Sequence, residues 1–368
     1  MKTYKSFVIA FLLLVLLTTA VSIVPIVIVD PCFHYHRPLK CFSYTLRNER
    51  MQNDGITRHF DYDALITGTS MTENFKTSEA DRVFGLSFIK VPYSGGTFKE
   101  IDDGVRRALL YNKELTLVIR CLDYWFLNLD KDIMRTDLGN FPTYLYDRNP
   151  FNDVAYVFNR EILYGSVMPM LLRYVKTRSG GVDDFDDYAN WMPYYTFGSA
   201  SVLQDRGRFA EPSEARRMTE KERRRTVDNI TQNVTSLAQE NPQCTFLYFF
   251  PPYSIAWWGS LYEQGGIERQ LEIERTAVEL ILECDNIRLY SFNTEFDWVT
   301  DLDNYKDAAH YGEWINSCML VCMKEGKGLL TKDNYLSYLA AEREFYMNFD
   351  YNSLFAVGDD YEGGQRFP

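Results

Sequence analysis

Short apolar runs separated by segments of helical periodicity constrain the fold of this chain more than any other feature of its sequence. The runs cover residues 64–67, 86–91, 115–122, 245–250 and 287–292. After the second run, apolar residues recur at the spacing of one helix face, as at Phe98, Ile101 and Val105. Because strands joined by helices lie parallel with right-handed crossovers, the alternation predicts an α/β fold. We expect a three-layer, flavodoxin-like sandwich of about five parallel strands, with a helix at 71–80 behind the first.

This alternation places the main α/β domain at residues 61–330, with one long insertion. The strand pattern stops between about 124 and 212, where an amphipathic helix is predicted at 154–175. Two interpretations of the insertion stay open: it covers the site or docks a partner, or it only adds stability at the surface. Residues 31–60 are predicted to form an irregular juxtamembrane connection, and residues 331–368 a C-terminal helix and tail.

The N-terminal segment, residues 1–30, is predicted to be a membrane anchor. Phe7–Val29 is uncharged and apolar, and a helix needs roughly 20 such residues to cross a bilayer. The alternative is a cleaved signal peptide, because Thr18-Thr19-Ala20 resembles a small-residue cleavage site. The apolar run continues past this point, which favours an uncleaved transmembrane helix. Basic residues also follow the span, from Arg37 to Arg50, so the positive-inside count favours neither side. From the short tail with Lys2 and Lys5 we expect a single-pass cell-membrane protein whose domain is extracytoplasmic.

Charge and cysteine usage exclude some classes of partner and cofactor. The net charge is −12, with 51 acidic and 39 basic residues. Nucleic acid is not expected as a partner, because phosphate binding requires clustered Lys and Arg. The seven cysteines contain no C-x-x-C pair. The sequence therefore predicts neither a metal site nor another cofactor.

Two motifs far apart in the sequence supply the residue types of an acyl-transfer triad. Ser70 directly follows the first apolar run, and Asp307 and His310 follow the fifth with D-x-x-H spacing. Because parallel strands present their carboxyl ends at one edge, both motifs are expected there. Ser70 is the predicted nucleophile, His310 the base, and Asp307 the group that orients the base. The alternatives are a helix N-cap for Ser70 and a metal-ligand role for the other two.

Further side chains end strands at the same predicted edge. Asp123 and Tyr124 follow the third run, and Tyr253 follows the fourth. We expect these three to bind substrate, with structural capping as the alternative. Trp257 and Trp258 come next and suit either stacking on a sugar or covering the edge of the core.

These motifs resemble those of the SGNH, or GDSL-like, hydrolase superfamily. The matching segments are Ile66-Thr67-Gly68-Thr69-Ser70, Ser94-Gly95-Gly96 and Asp307-Ala308-Ala309-His310. The resemblance implies catalytic roles for Ser70, Asp307 and His310, and an oxyanion hole formed by the backbone N–H groups of Ser70 and Gly95. The superfamily carries an Asn after the third strand, where this chain has Arg120-Cys121-Leu122-Asp123-Tyr124. The hole therefore has two members or another donor.

One N-terminal span followed by this domain is also similar to membrane-anchored branches of the superfamily. These include the alginate O-acetylation proteins and the D-alanine transfer protein of teichoic-acid synthesis. The resemblance implies a serine acyltransferase or esterase that acts on a cell-envelope glycan beside a multi-pass membrane acyltransferase. Two alternatives stay open: a non-catalytic envelope subunit that binds such an acyltransferase or a glycan, and a hydrolase of small soluble esters.

Overall fold

The computed structural model describes residues 2–137 and 139–355. The strands are β1 (Ser43–Tyr44), β2 (Ala64–Thr67), β3 (Phe88–Lys90), β4 (Leu117–Cys121), β5 (Gly181–Val182), β6 (Thr245–Phe250), β7 (Ile287–Ser291) and β8 (Leu329–Leu330). The helices are α1 (Lys2–Val29), α2 (Glu49–His59), α3 (Thr77–Phe84), α4 (Phe98–Tyr111), α5 (Val154–Val157), α6 (Met168–Thr177), α7 (Ser199–Leu203), α8 (Glu220–Ile230), α9 (Ser236–Glu240), α10 (Ile255–Glu263), α11 (Ile267–Ile281), α12 (Phe296–Thr300), α13 (Glu313–Glu325) and α14 (Tyr335–Asn348). Of the predicted C-terminal helix and tail, residues 356–368 lie outside the described residues.

The main sheet has six strands in the order β3-β2-β4-β6-β7-β8. The first five are parallel to their neighbours, and β8 pairs antiparallel with β7. All five apolar runs therefore form parallel strands, whose order, numbered along the chain, is 2-1-3-4-5. Strands β2 and β4 are buried at every residue, which explains why their sequences are nearly continuous apolar runs. A mixed α/β structure with parallel strands is thus confirmed.

Three short strands were not predicted. β8 extends the sheet by two residues, and β1 pairs in parallel with β5 in a separate two-stranded sheet. A strand of two residues cannot show the alternation by which sequence reveals strands.

Two helix predictions differ from the structure. The expected helix at 71–80 is a 3₁₀ turn, Ser70–Thr72, followed by the separate helix α3. The expected helix at 154–175 is broken into α5, a π-helical segment Ile162–Val167 and α6. Pro169, in the first turn of α6, lacks the backbone N–H that a continuous α-helix would use, and a π-helical turn precedes it.

Helix α1 runs directly from the apolar N-terminal segment into the domain. Among the described residues it is the one helix long and apolar enough to cross a membrane, over Tyr4–Val29, with a mean hydropathy of 2.9. Its last turn enters the core, where Ile26 and Val29 are fully buried. The chain then turns at Asp30, whose φ is 46°. The Asp30 carboxylate accepts hydrogen bonds from the N–H groups of His34, Tyr35 and His36 and from the Tyr156 hydroxyl. The exit from α1 is therefore a fixed turn.

The insertion packs against both α1 and the connection that follows it. Helix α1 contacts α5 and the π-helical segment Ile162–Val167. The Tyr188 hydroxyl donates to Asn53 Oδ1 at 2.8 Å, and β5 pairs with β1. Residues 31–60, expected to be irregular, contain α2 and β1. Polar residues dominate α2, so its sequence shows little of the apolar periodicity that indicates a helix.

Candidate active site

Ser70 lies in a tight turn directly after β2, at the carboxyl end of the sheet. Gly68 has a φ of 153°, and a side chain there would meet Thr72 Cγ2 at 2.7 Å and Cys121 Cβ at 2.8 Å. Glycine is therefore required where the strand leaves the sheet. The Thr69 side chain caps the 3₁₀ turn that begins at Ser70.

The base and its partner lie on a loop that β6 supports. Tyr305 and Tyr311 pair as an antiparallel bridge and close the loop at its two ends. Ser254, after β6, donates its N–H and its hydroxyl to the Ala308 carbonyl at 3.2 and 2.7 Å. The Tyr305 hydroxyl donates to the Pro252 carbonyl at 2.8 Å. These bonds fix the loop at the carboxyl end of the sheet, near the turn of the serine.

The three predicted triad side chains lie in hydrogen-bonding contact. Ser70 Oγ is 2.8 Å from His310 Nε2, and His310 Nδ1 is 2.9 Å from both Asp307 carboxylate oxygens. Asp307 Oδ1 also accepts the backbone N–H groups of Ala309 and His310 at 2.9 Å, which orients the carboxylate. Because a carboxylate can only accept, Nδ1 carries the proton and Nε2 accepts from the serine hydroxyl. This is the hydrogen-bond order of a serine nucleophile with its base.

The charge of Asp307 suits it to stabilise an imidazolium. Burial alone would raise the pKa of its carboxyl. The hydrogen bonds and positive charge of His310, with the two backbone bonds, outweigh this and lower the pKa of Asp307 to about 2. The carboxylate is therefore ionised at neutral pH, and its negative charge stabilises the positive charge that develops on the imidazole.

Asp123 and Tyr253, predicted to bind substrate, instead lie beneath the nucleophile turn. Both side chains are buried. Asp123 Oδ2 accepts the Thr69 hydroxyl at 2.7 Å, and Oδ1 accepts the Tyr253 hydroxyl and the Trp125 N–H. Burial raises the pKa of Asp123, although these hydrogen bonds oppose the rise. Asp123 therefore holds Thr69, the neighbour of Ser70, and Tyr253 in turn holds Asp123.

Tyr124, the third predicted substrate contact, is part of the core. Its ring stacks on Phe250, and its hydroxyl donates to buried Glu274 at 3.2 Å. Trp258 is fully buried in this aromatic cluster and is not available to stack on a sugar. Trp257 is largely buried there, although part of it lines the groove described below. As predicted, these residues closely follow the ends of strands, but a position after a strand does not reveal which way the side chain points.

Gly95, the predicted second oxyanion donor, lies in the turn after β3 with a φ of 55°. A side chain there would collide with the guanidinium of Arg135, which donates to the Ser94 carbonyl at 2.8 Å. Arg50 donates to the same carbonyl at 3.2 Å. The Ser94 carbonyl thus accepts from two arginines, whereas the Ser94 N–H donates to the Glu49 carboxylate. An oxyanion role for the Gly95 N–H stays a prediction.

The insertion contributes Trp191, which the sequence analysis did not single out. Its indole N–H donates to the Ser70 carbonyl at 3.3 Å, and its ring lies edge-on to the His310 imidazole. Lys306 Nζ lies 4.1 Å from the centre of the Trp191 ring and 3.7 Å from that of Tyr195. The insertion therefore contacts both the nucleophile turn and the base, and its role as a cover stays a prediction. No motif marks Trp191, because its partner lies 121 residues away.

A groove of about 610 Å³ opens beside the triad. It is lined by Trp125, Gln204, Arg206, Trp257, Ser260 and His310, among others. The Trp125 side chain is 64% exposed, and its ring stands edge-on to that of Trp257. The groove thus combines one exposed aromatic face with polar and charged groups next to the base.

No group of three or more His, Cys, Asp or Glu residues suited to hold a metal ion occurs within the part of the chain that the structure describes. Comparison with protein-family models, with curated proteins and with solved structures found no match to this chain. The function is therefore argued from the geometry of the site.

Proposed function

We propose that this protein is a membrane-anchored serine acyl-transfer enzyme, an O-acyltransferase or esterase of SGNH type that acts on a cell-envelope glycan. The observation that carries the proposal is the continuous hydrogen-bond chain from Ser70 through His310 to Asp307. The 2-1-3-4-5 order of the parallel strands supports an SGNH-like three-layer sandwich. Helix α1 supports single-pass anchoring, and we propose that the domain lies outside the cell.

In the first half-reaction, Ser70 Oγ attacks the carbonyl carbon of an acyl donor. His310 Nε2 takes the hydroxyl proton, and Asp307 stabilises the resulting imidazolium. The bond between the carbonyl carbon and the leaving group breaks, and His310 returns the proton to that group. The product is an ester between the acyl group and Ser70.

In the second half-reaction, an acceptor hydroxyl attacks this ester. His310 takes the acceptor proton, the bond from the acyl carbon to Ser70 Oγ breaks, and the proton returns to the serine. With a glycan hydroxyl as acceptor the outcome is O-acylation, and with water it is hydrolysis. Trp125 in the adjacent groove offers the exposed aromatic face on which a sugar ring can stack, so we assign the groove to the glycan.

The oxyanion hole is the weakest part of the machinery. Asp123 occupies the segment where the superfamily carries an Asn donor, and its carboxylate accepts hydrogen bonds. Losing one donor costs about 2.7–4 kcal/mol of transition-state stabilisation. An enzyme with fewer oxyanion donors needs a more reactive acyl donor. A neighbouring multi-pass membrane acyltransferase would supply such an activated donor.

Covalent labelling of the full-length protein in detergent by a fluorophosphonate tests the proposal. We expect labelling at Ser70 and its loss in Ser70→Ala. The matched control is Ser260→Ala, a serine of the same groove whose hydroxyl is bound to the Ala256 carbonyl at 3.1 Å. This variant should label like the wild type. Folded wild-type protein that takes no label contradicts the proposal and favours the non-catalytic subunit.

Transfer and hydrolysis are separated by a second measurement. The full-length protein is incubated with a chromogenic acetyl ester, with and without an envelope glycan. Acetyl groups on the glycan that require Ser70 indicate transfer, whereas acetate release unaffected by the glycan indicates an esterase. Equal ester turnover by wild type and Ser70→Ala contradicts both.

A further inference from the structure

One surface of the insertion exposes apolar side chains at helical spacing. On the π-helical segment and α6, the side chains of Tyr164, Leu172 and Val175 are 63%, 56% and 68% exposed. With Met168 they recur every three or four residues and so form one stripe, which we call the interfacial stripe. The opposite side of the same segment, including Val167, packs into the core. Nearby exposed apolar residues are Phe151, Val154 and Phe158. A continuous exposed apolar surface indicates contact with a membrane or a partner.

The stripe lies beside the end of the membrane-crossing helix. The apolar span of α1 has 26 residues, about 39 Å of helix at 1.5 Å per residue. A bilayer core of roughly 30 Å takes roughly 20 residues, so about six residues extend beyond it. Ile23, Ile26 and Val29, near that end, pack into the domain, and α1 there contacts α5 and the π-helical segment. The insertion is therefore held at the level where α1 leaves the hydrocarbon.

The segment that carries the stripe is more basic than the chain as a whole. Residues 160–178 contain four basic residues and one acidic residue, whereas the whole chain has a net charge of −12. Arg173, Lys176 and Arg178 are exposed beside the apolar side chains. An amphipathic helix that combines an apolar stripe with flanking basic residues is typical of one lying in the interface of an anionic bilayer.

We infer that the interfacial stripe is a second membrane-contacting surface, which lies in the headgroup region of an anionic bilayer beside α1. With one span, α1 and the domain fixed to it can tilt together in the bilayer, whereas a second contact beside the span fixes their orientation. The same insertion carries Trp191, which contacts Ser70 and His310. The membrane contact would therefore set the height of the site above the bilayer. The inference rests on α1 crossing the membrane, as the proposed function does.

Site-specific photo-crosslinking in the full-length chain tests the inference. p-Benzoylphenylalanine replaces Leu172 in protein reconstituted into vesicles of phosphatidylcholine and phosphatidylglycerol, and lipid adducts are measured by mass spectrometry. The same replacement at Leu13, an exposed residue of α1, reports on the anchor itself. Replacement at Leu336, an exposed apolar residue of α14, is the matched control, because α14 packs against α10 and α11.

We expect lipid adducts at positions 172 and 13, and several-fold fewer at 336. Arg173→Glu combined with Lys176→Glu should lower the adducts at 172 in anionic vesicles and leave those at 13 unchanged. Adducts at 13 but not at 172 overturn the inference and leave the anchor intact. Absence of adducts at 13 overturns the anchor as well. In cell membranes, adducts at 172 with a protein in place of lipid would identify the stripe as a partner surface and also overturn the inference.

Discussion

The indole N–H of Trp191 donates to the Ser70 carbonyl at 3.3 Å, and the centre of the same ring lies 5.7 Å from that of the His310 imidazole. Ser70 and His310 belong to the sheet domain, whereas Trp191 belongs to the insertion. The nucleophile turn and the base are thus held from outside the sheet by one side chain. The structure therefore connects the insertion to the geometry of the triad.

Trp191→Phe should slow fluorophosphonate labelling of Ser70 roughly fivefold. Phenylalanine keeps an aromatic ring at this position but removes the indole N–H, so one hydrogen bond of about 1 kcal/mol is lost. The rate constant of labelling in the full-length protein is the measurement. Trp314→Phe is the control, since its indole bonds Asn304 Oδ1 at 2.8 Å, outside the triad. Equal rates for both variants would show that the Trp191 bond does not position the serine.

Thr69→Val should reduce turnover without changing KM. The Thr69 hydroxyl donates to buried Asp123 at 2.7 Å, and valine keeps the shape but removes that donor. A buried acceptor left with fewer donors costs roughly 1–3 kcal/mol, part of which appears as a lower melting temperature. The measurement is kcat and KM with a chromogenic ester, together with thermal unfolding.

Thr69→Ser is the matched variant, because it restores the hydroxyl donor while removing a methyl group. We expect it to recover most of the lost kcat. If serine and valine variants are equally slow, the methyl group matters and the bond to Asp123 does not. An unchanged kcat in Thr69→Val would also contradict a positioning role.

The strands and the triad were predictable for related reasons. Buried parallel strands require continuous apolar runs, which the sequence shows directly, and the topology of a parallel sheet brings the ends of β2 and β7 to one edge. Ser70 and His310 could therefore be paired across 240 residues. Local spacing predicted the Asp307 partner, because three residues place it in the same loop.

The orientation of side chains at that edge was not predictable. Asp123, Tyr124 and Tyr253 follow the ends of β4 and β6, but they point into the protein, where hydroxyl and carboxyl groups satisfy one another. The insertion could not be predicted in full for the same reason. Which of its side chains stay exposed, and what Trp191 contacts, are decided by residues distant in sequence. Periodicity reports which face of an element is apolar, and tertiary contacts decide what that face meets.

Asp307→Asn should remove a part of the stability that depends on pH. The pKa of Asp307 is lowered to about 2 from an ordinary value of 3.8, so the ionised form favours the folded state. This contribution is complete above about pH 4 and is lost as the pH falls through 2. Because the side chain is 40% exposed, solvent screens it to about 1 kcal/mol.

Thermal unfolding of wild type and Asp307→Asn between pH 7 and pH 2 measures this contribution. The two melting temperatures should differ at pH 7 and converge towards pH 2. Asp303→Asn is the control, because Asp303 lies in the 3₁₀ turn Leu302–Asn304, before the loop that carries Asp307 and His310. Its difference from wild type should not follow this course. A difference for Asp307→Asn that grows on acidification would contradict the assignment.

Glu274→Gln should make the protein less sensitive to alkaline pH. Burial raises the pKa of Glu274 to about 8, and the pKa of neighbouring Glu342 is also raised by burial and by the Glu274 charge. A carboxyl whose pKa is raised in the folded state stabilises least when ionised, so stability is lost as the pH rises from about 4.5 to about 8. Glutamine keeps the shape and an acceptor for the Tyr124 hydroxyl, but it cannot ionise.

The melting temperature at pH 5 and at pH 8, in one detergent, is the measurement for Glu274→Gln. The wild type should lose more stability between these values than the variant. Only the wild type has at position 274 a buried carboxyl that is protonated in the folded protein and ionised in the unfolded chain. Glu279→Gln is the matched control, since Glu279 lies on the same helix α11 but is partly exposed and paired with Arg275. It should retain the wild-type loss. Equal losses in all three proteins would mean that the buried carboxyl at position 274 does not set the alkaline limit of the fold.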